Sequence, residues 1–217
     1  MLISLFFLFF FSCSFISCDQ FTRVVDFSGA IDEYSLKCLK EKEQSTGVII
    51  RLYDSDIGGR DPHAQYSIAM NGDTYSDGYV YPQPMQSPTQ QVDEALGKLG
   101  EVLVNLRIVF IKVEEPERWN KNISLNRQFI KESHDRIIDR YGKMMGVYTT
   151  TPEWKNITGE WKNGLDEVPL WWAKHGSNIT TFDDFTPFGM WNVPTFRKTG
   201  KQLNVGPCDL VYFGRNV

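Results

Sequence analysis

Ile108-Val109-Phe110-Ile111-Lys112-Val113-Glu114 is the stretch on which the fold turns. From Ile108 to Val113 the residues are apolar on both alternating faces, as a strand covered from both sides must be. Lys112 and Glu114 close it. They stand two residues apart and so project to the same side, with Val113 opposite. A carboxylate ending a buried strand is costly to desolvate, so it has an ionic partner or a chemical task.

Helical periodicity brackets this strand. Ser87-Pro88-Thr89 opens a helix predicted over Gln90 to Leu106, with Val92, Leu96, Leu99, Val102, Leu103 and Leu106 on one side. Ser124 opens another, with Phe129, Ile130, Ile137 and Ile138 at helical spacing, ending near Gly142. Its charged residues, such as Lys131, Asp135 and Arg136, read as a solvated face.

The alternation extends both ways. Strands are expected at Val24 to Phe27, Gly47 to Tyr53, Gly78 to Tyr81 and Met145 to Thr149, with helices at Ile31 to Lys42 and about Pro62 to Met70. Short apolar runs follow at Val168 to Ala173, Met190 to Val193 and Leu210 to Phe213, with little helix between them. Strands alternating with helices imply a parallel sheet that tends to close on itself. The expectation is an α/β fold: an irregular eight-stranded (β/α) barrel whose last three strands are joined mainly by loops.

A chain of 217 residues, 41% hydrophobic and 14% aromatic, can bury one sizeable core, and one domain is the natural count. Its net charge of -4 is spread without a basic stripe, which argues against nucleic acid as a partner. Residues 1–18 are mostly Leu, Ile, Phe, Ser and Cys and read as a signal peptide, leaving a mature domain of residues 19–217. No Lys or Arg precedes the apolar run, and a retained signal anchor is the alternative. Cleavage makes the protein secreted and extracellular, with no membrane contact afterwards, and a monomer is expected.

Three N-x-[ST] sequons, at Asn122, Asn156 and Asn178, agree with passage through the secretory pathway and are expected on surface loops. Once the signal is removed, Cys38 and Cys208 remain as one possible disulfide; two buried thiols are the alternative. His63, His134 and His175 lie far apart without a Cys or carboxylate framework, so neither a metal nor a cofactor is expected.

In barrels of parallel strands, functional side chains project from the C-terminal strand ends. Besides Lys112 and Glu114, Asp26 in Val-Val-Asp-Phe-Ser-Gly and Asp209 in Cys-Asp-Leu-Val-Tyr-Phe occupy such places. Ion pairs closing the mouth are the structural alternative for both. Tyr79, Tyr81, Trp119, Trp171, Trp172 and Trp191 lie at or just after strand ends, where rings could pack on flat sugar faces or simply fill the core. Adjacent Trp171 and Trp172 point to opposite faces, which leaves one to line the mouth.

The order of these fragments resembles the family 25 glycoside hydrolases, the lysozymes of protist and nematode type. Val25-Asp-Phe-Ser-Gly29 is similar to their first strand and Tyr79-Val-Tyr-Pro82 to their third. Gly146-Val-Tyr-Thr-Thr150 with Trp154 resembles the fifth, Leu170-Trp-Trp-Ala173 the sixth and Asp209-Leu-Val-Tyr212 the last, over residues 23–213. The resemblance implies an enzyme that hydrolyses bacterial peptidoglycan between N-acetylmuramic acid and N-acetylglucosamine, in defence or digestion, with cell-wall glycan as its partner.

The family's cleavage centre is an Asp-x-Glu at the end of the fourth strand. By position, Glu114 is then the proton donor, Asp26 and Asp209 are the flanking acids, and Lys112 stands where the family has Asp. In the family that Asp is thought to steady the substrate's acetamido group during its attack on the anomeric carbon. An ammonium instead repels positive charge developing at an oxocarbenium-like centre and favours the ionised form of a neighbouring acid. Weakened hydrolysis, or glycan binding without cleavage, follows unless Asp26, Asp77 or Asp209 takes the missing part. Substrate contacts are expected from Tyr79, Tyr81, Trp171, Trp172, Asp77 and Lys112.

Overall fold

The structure is a computed structural model that describes residues 23–42, 45–72, 76–165, 167–174, 181–198, 204–205 and 210–211. Strands β1 (Arg23–Phe27), β2 (Ser45–Asp54), β4 (Ser76–Tyr81), β5 (Leu106–Lys112), β6 (Met144–Thr149), β7 (Leu170–Ala173) and β8 (Phe196–Lys198) pair in that order, each parallel to the next. The two-residue β3 (Gly59–Arg60) folds back antiparallel on β2. Helices α1 (Glu33–Lys42), α2 (Ala64–Asn71), α3 (Pro88–Leu96), α4 (Ile123–Tyr141) and α5 (Thr151–Thr158) fall between these strands.

The sheet is curled, and ring contacts demonstrate it. Three strand spacings separate β4 from β7, and β5 from β8, roughly 14 Å in a flat sheet. Yet the rings of Tyr79 and Trp171 lie 6.4 Å apart, and those of Phe110 and Phe196 lie 5.6 Å apart. Two apolar layers result. Val24, Ile49, Tyr79, Ile108, Phe110, Tyr148 and Trp171 fill the inside of the curl, while Val25, Ile50, Val109, Ile111 and Val147 face the helices. This is why β5 carries no polar residue from Ile108 to Ile111.

Several boundaries differ from expectation. The helix predicted to Leu106 stops at Leu96, because Gly100 adopts a left-handed φ of 59° and the chain tightens into a 3-10 turn over Gly100–Asn105. Met190 to Val193 is no strand. It forms a turn bridged between Phe188 and Trp191, and Trp191 plugs the outer core with its indole N–H donated to the Val168 carbonyl at 2.7 Å. The strand beside β7 is instead Phe196–Lys198. Leu210–Val211 (β10) pairs antiparallel with Asn204–Val205 (β9), so among the described residues the last predicted strand lies off the curled sheet.

Helix α5 was not expected. Thr150 caps it, accepting Glu153 N–H on Oγ1 at 3.2 Å while its hydroxyl donates to the Glu153 carboxylate at 2.6 Å. Cys38 on α1 is buried and disulfide-bonded, which removes the free-thiol reading for it; Cys208 lies outside the described residues.

Candidate functional site

The C-terminal ends of β1, β2, β4, β5 and β6 form a mouth, and the residues from 112 to 118 dominate it. Beyond β5 the chain stays pinned to β6: Val113 N–H donates to the Tyr148 carbonyl at 2.8 Å, and the Thr149 hydroxyl donates to the Val113 carbonyl at 2.7 Å. That anchorage extends the strand geometry through Glu114. Lys112 and Glu114 therefore share a side, as their spacing requires, and their charged ends meet at 3.1 Å. Both side chains are only about 15% exposed (15% and 14%), so the pair is largely withdrawn from solvent.

Glu115, which the sequence reading passed over, turns the chain sharply with a φ of 56° and ψ of 75°. A non-glycine residue in this left-handed region needs its surroundings to hold it. Three groups do so. Its N–H donates to Glu153 at 3.2 Å, its carboxylate accepts the Tyr81 hydroxyl at 2.5 Å, and Arg118 lies 3.8 Å away. Arg118 also stacks over the Tyr81 ring at 4.2 Å and donates to Asp56 at 2.8 Å. Burial first, then the hydrogen bond to Glu115, pushes the Tyr81 phenol far above its usual range, so it is a neutral donor.

Asp26 is buried near the end of β1. Burial, and next the negative charge of Asp26, raise the Tyr79 phenol well above its normal titration. Arg51 on β2 donates to the buried Asp61 at 2.7 Å and reaches Asp54 at 3.3 Å. Lys198, at the end of β8, is buried with its ammonium 4.5 Å from the Tyr148 ring centroid. A basic residue interrupting the apolar run of β2 and another ending the short β8 were the signals that could have marked Arg51 and Lys198.

The predicted residues divide. Asp26, Tyr79, Tyr81, Lys112 and Glu114 gather at or just inside the mouth. Asp209 lies outside the described residues. Asp77 does not join them: it is the second residue of β4, at the opposite rim, where Arg107 donates to it at 2.7 and 3.1 Å and Ile108 N–H at 3.1 Å. It is a structural ion pair there, removed from any part in substrate contact.

The tryptophans alternate as predicted, but neither presents a ring to solvent. Trp171 is fully buried inside the curl against Tyr148 at 4.8 Å, and Trp172 packs outward on Phe185 at 5.0 Å. Trp172 instead lines a cavity of about 460 Å³ with Thr150, Pro152, Lys174 and Asp184. Trp119 against Phe129 and Trp191 against Trp154 are core contacts.

Two sequons carry exposed asparagines. Asn122 caps α4, accepting from Ser124 N–H at 3.0 Å. Asn156 sits on α5 and not on a loop, with Ile157 and Thr158 of its sequon buried. Asn178 lies outside the described residues.

A curled parallel sheet with a carboxylate at the end of its fourth parallel strand agrees with what the resemblance to the family 25 glycoside hydrolases implies. Comparison with known proteins agrees: residues 18–198 match the family model described as lysozyme-like protein 1. The chain is 30% identical to probable GH family 25 lysozyme 5 of Dictyostelium discoideum, over 83% of this chain and 84% of that protein. It is 31% identical to lysozyme-like protein 1 of Caenorhabditis elegans, covering 88% of this chain and 66% of that one. Among solved structures, a muramidase from Trichobolus zukalii superposes with a TM-score of 0.65 at 14% identity, over 89% of this chain and 92% of that chain. A family GH25 lysozyme from Aspergillus fumigatus gives 0.62 at 16% identity, over 90% and 94%. The chain belongs to the lysozyme-like proteins of glycoside hydrolase family 25.

Proposed function

We propose that this protein is a secreted muramidase-type protein that engages bacterial peptidoglycan at the C-terminal mouth of its curled sheet, serving defence or digestion. Membership of the lysozyme-like family supports a muramidase-type function, and the placement of Glu114 at the end of β5 is the observation that carries it to this site. In this reading Glu114 protonates the leaving oxygen of the bond between N-acetylmuramic acid and N-acetylglucosamine. Asp26 flanks the reacting sugar and Tyr79 and Tyr81 form its wall, while Asp209, outside the described residues, has its flanking part from the resemblance alone.

Hydrolysis is slow in this reading, because Lys112 stands where a carboxylate would support the developing cation and holds Glu114 in an ion pair at 3.1 Å. The alternative is a protein that binds wall glycan without cutting it. Purified protein incubated with bacterial cell walls separates the two. Release of reducing ends that is lost in Glu114→Gln supports the hydrolase; wall binding without release supports the binder; neither release nor binding sinks both. Mass spectrometry of the secreted protein tests signal cleavage and glycans at Asn122, Asn156 and Asn178.

A further inference from the structure

Asn122, the first of the sequon asparagines, sits at the edge of a cleft between the loop that follows β4 and the first turns of α4. Its N–H donates to Asn120 Oδ1 at 2.8 Å, and its carbonyl accepts Leu125 N–H at 3.1 Å. Asn120 and Leu125 both line that cleft, together with Pro84, Met85 and Phe129. Met85 joins the same chain of contacts, its sulfur accepting from Asn120 Nδ2 at 3.9 Å. A sequon asparagine is thus bonded to two residues of the cleft wall.

The cleft presents apolar side chains to solvent. Met85 is 65% exposed and Leu125 47% exposed, beside the buried Phe129 ring. Its volume of about 240 Å³ is below the roughly 300–1,000 Å³ of sites that hold a free small ligand. A group tethered at the edge needs far less affinity, because a short link gives it an effective concentration of about millimolar. Size and position therefore favour an occupant attached to this chain. The Asn122 side chain is divided to suit one: Oδ1 accepts Ser124 N–H at 3.0 Å and caps α4, while among the described residues Nδ2 has no hydrogen-bond partner.

We propose that Asn122 carries an N-linked glycan whose first N-acetylglucosamine lies in this cleft, with the C–H face of the sugar against Met85 and Leu125. Attachment joins Nδ2 to the anomeric carbon of the sugar. Nδ2 gives up one proton, and the diphosphate of an oligosaccharide-diphosphate donor leaves with the bonding electrons. Nδ2 keeps one N–H and Oδ1 still accepts from Ser124, so the modification leaves the helix cap intact. This assignment rests on the secretory part of the function proposed above and on no activity at the mouth. The glycan thereby covers an apolar patch that the fold leaves open.

Limited oxidation by hydrogen peroxide of the glycoprotein secreted from eukaryotic cells, read by peptide mass spectrometry, tests this through Met85. Ser124→Ala removes the sequon but keeps Asn122 and the backbone N–H that it accepts. Methionine oxidation follows exposure, so Met85 is expected to oxidise about threefold or more slowly in the parent than in Ser124→Ala, with Met144, on β6, unchanged. An endoglycosidase that leaves the first N-acetylglucosamine should preserve the protection, and an amidase that removes the whole glycan should abolish it. Four results overturn the proposal: an unmodified Asn122; equal Met85 rates in parent and Ser124→Ala; protection lost on trimming to the first sugar; or protection that persists in Ser124→Ala and rises with protein concentration, as a second copy on this face would give. Glycans at Asn156 or Asn178 alone would leave secretion standing and sink only the Asn122 assignment. Retention of residues 1–18 with no glycan anywhere sinks both.

Discussion

Replacing Lys112 by Met removes one partner of a withdrawn ion pair and leaves the other in place. At 3.1 Å the gross attraction is about 5 kcal/mol with an effective dielectric near 20. Desolvation offsets part of that, but removing one member of a buried pair costs about 3–5 kcal/mol, since the remaining charge loses its compensation. For a domain of this size each kcal/mol shifts the melting temperature by roughly 2–4 °C, so the variant should melt roughly 6–20 °C below the parent. Glu114→Gln strands Lys112, which keeps its three tyrosine rings, and should cost less. The double variant, with neither charge, should recover much of the loss, giving a coupling energy of about 1–3 kcal/mol in a double-mutant cycle read by calorimetric melting. Additivity within about 0.5 kcal/mol would refute the reasoning, for the two charges would then be independent and Lys112 would not restrain Glu114.

Three further outcomes follow from the same geometry. On the proposed reading, Lys112→Asp puts a carboxylate beside Glu114 and should raise release of reducing ends from cell walls by about tenfold or more, despite a lower melting temperature; no gain counts against the part that reading gives Lys112. Hydrogen bonds from Arg197 and then Lys174 hold the Asp184 carboxyl well below its usual range. A depressed carboxylate stabilises the fold above its unfolded titration near about pH 4, and that contribution fades as pH falls through the lower folded value. Asp184→Asn should therefore melt below the parent at neutral pH and approach it in acid; a gap that stays constant down to strong acid refutes this. In Gly146→Ala the new methyl would lie 2.4 Å from two Phe110 ring carbons and 3.1 Å from Ile108, so a melting temperature lowered by several degrees is expected, from about 1–3 kcal/mol of overpacking. An unchanged melt would mean that the inner layer yields freely.

How much of this was legible in the sequence depended on whether a feature was local. The helical spacing in α4 and the two-faced apolar run of β5 each state their environment within a few residues, and both were read correctly. The reading of α3 overran because Val102, Leu103 and Leu106 continue an apolar pattern through a 3-10 turn that Gly97 and Gly100 had already signalled. Helix α5 is only eight residues long, too short to show a helical period, although Thr150, Pro152 and Glu153 spell a helix start. Phe196–Lys198 carries two basic residues in three and looks unlike a strand until the curl is known, since those bases are buried.

The site was legible only to the extent that one strand defines it. Lys112 and Glu114 meet because alternation makes residues i and i+2 neighbours, and no other part of the fold is needed for that. Asp77 shows the same dependence in reverse: a strand expected from Gly78 leaves it outside, whereas β4 starts at Ser76 and puts Asp77 at the rim opposite the mouth. The contact from Tyr81 to Glu115 arises from the pairing of β4 with β5, and that from Lys198 to Tyr148 from strands two apart in the sheet. No periodicity encodes them. One strand alone shows Lys112 matched to Glu114; only the curl brings Lys198 to the other side of the Tyr148 ring and makes the cations beside that ring two.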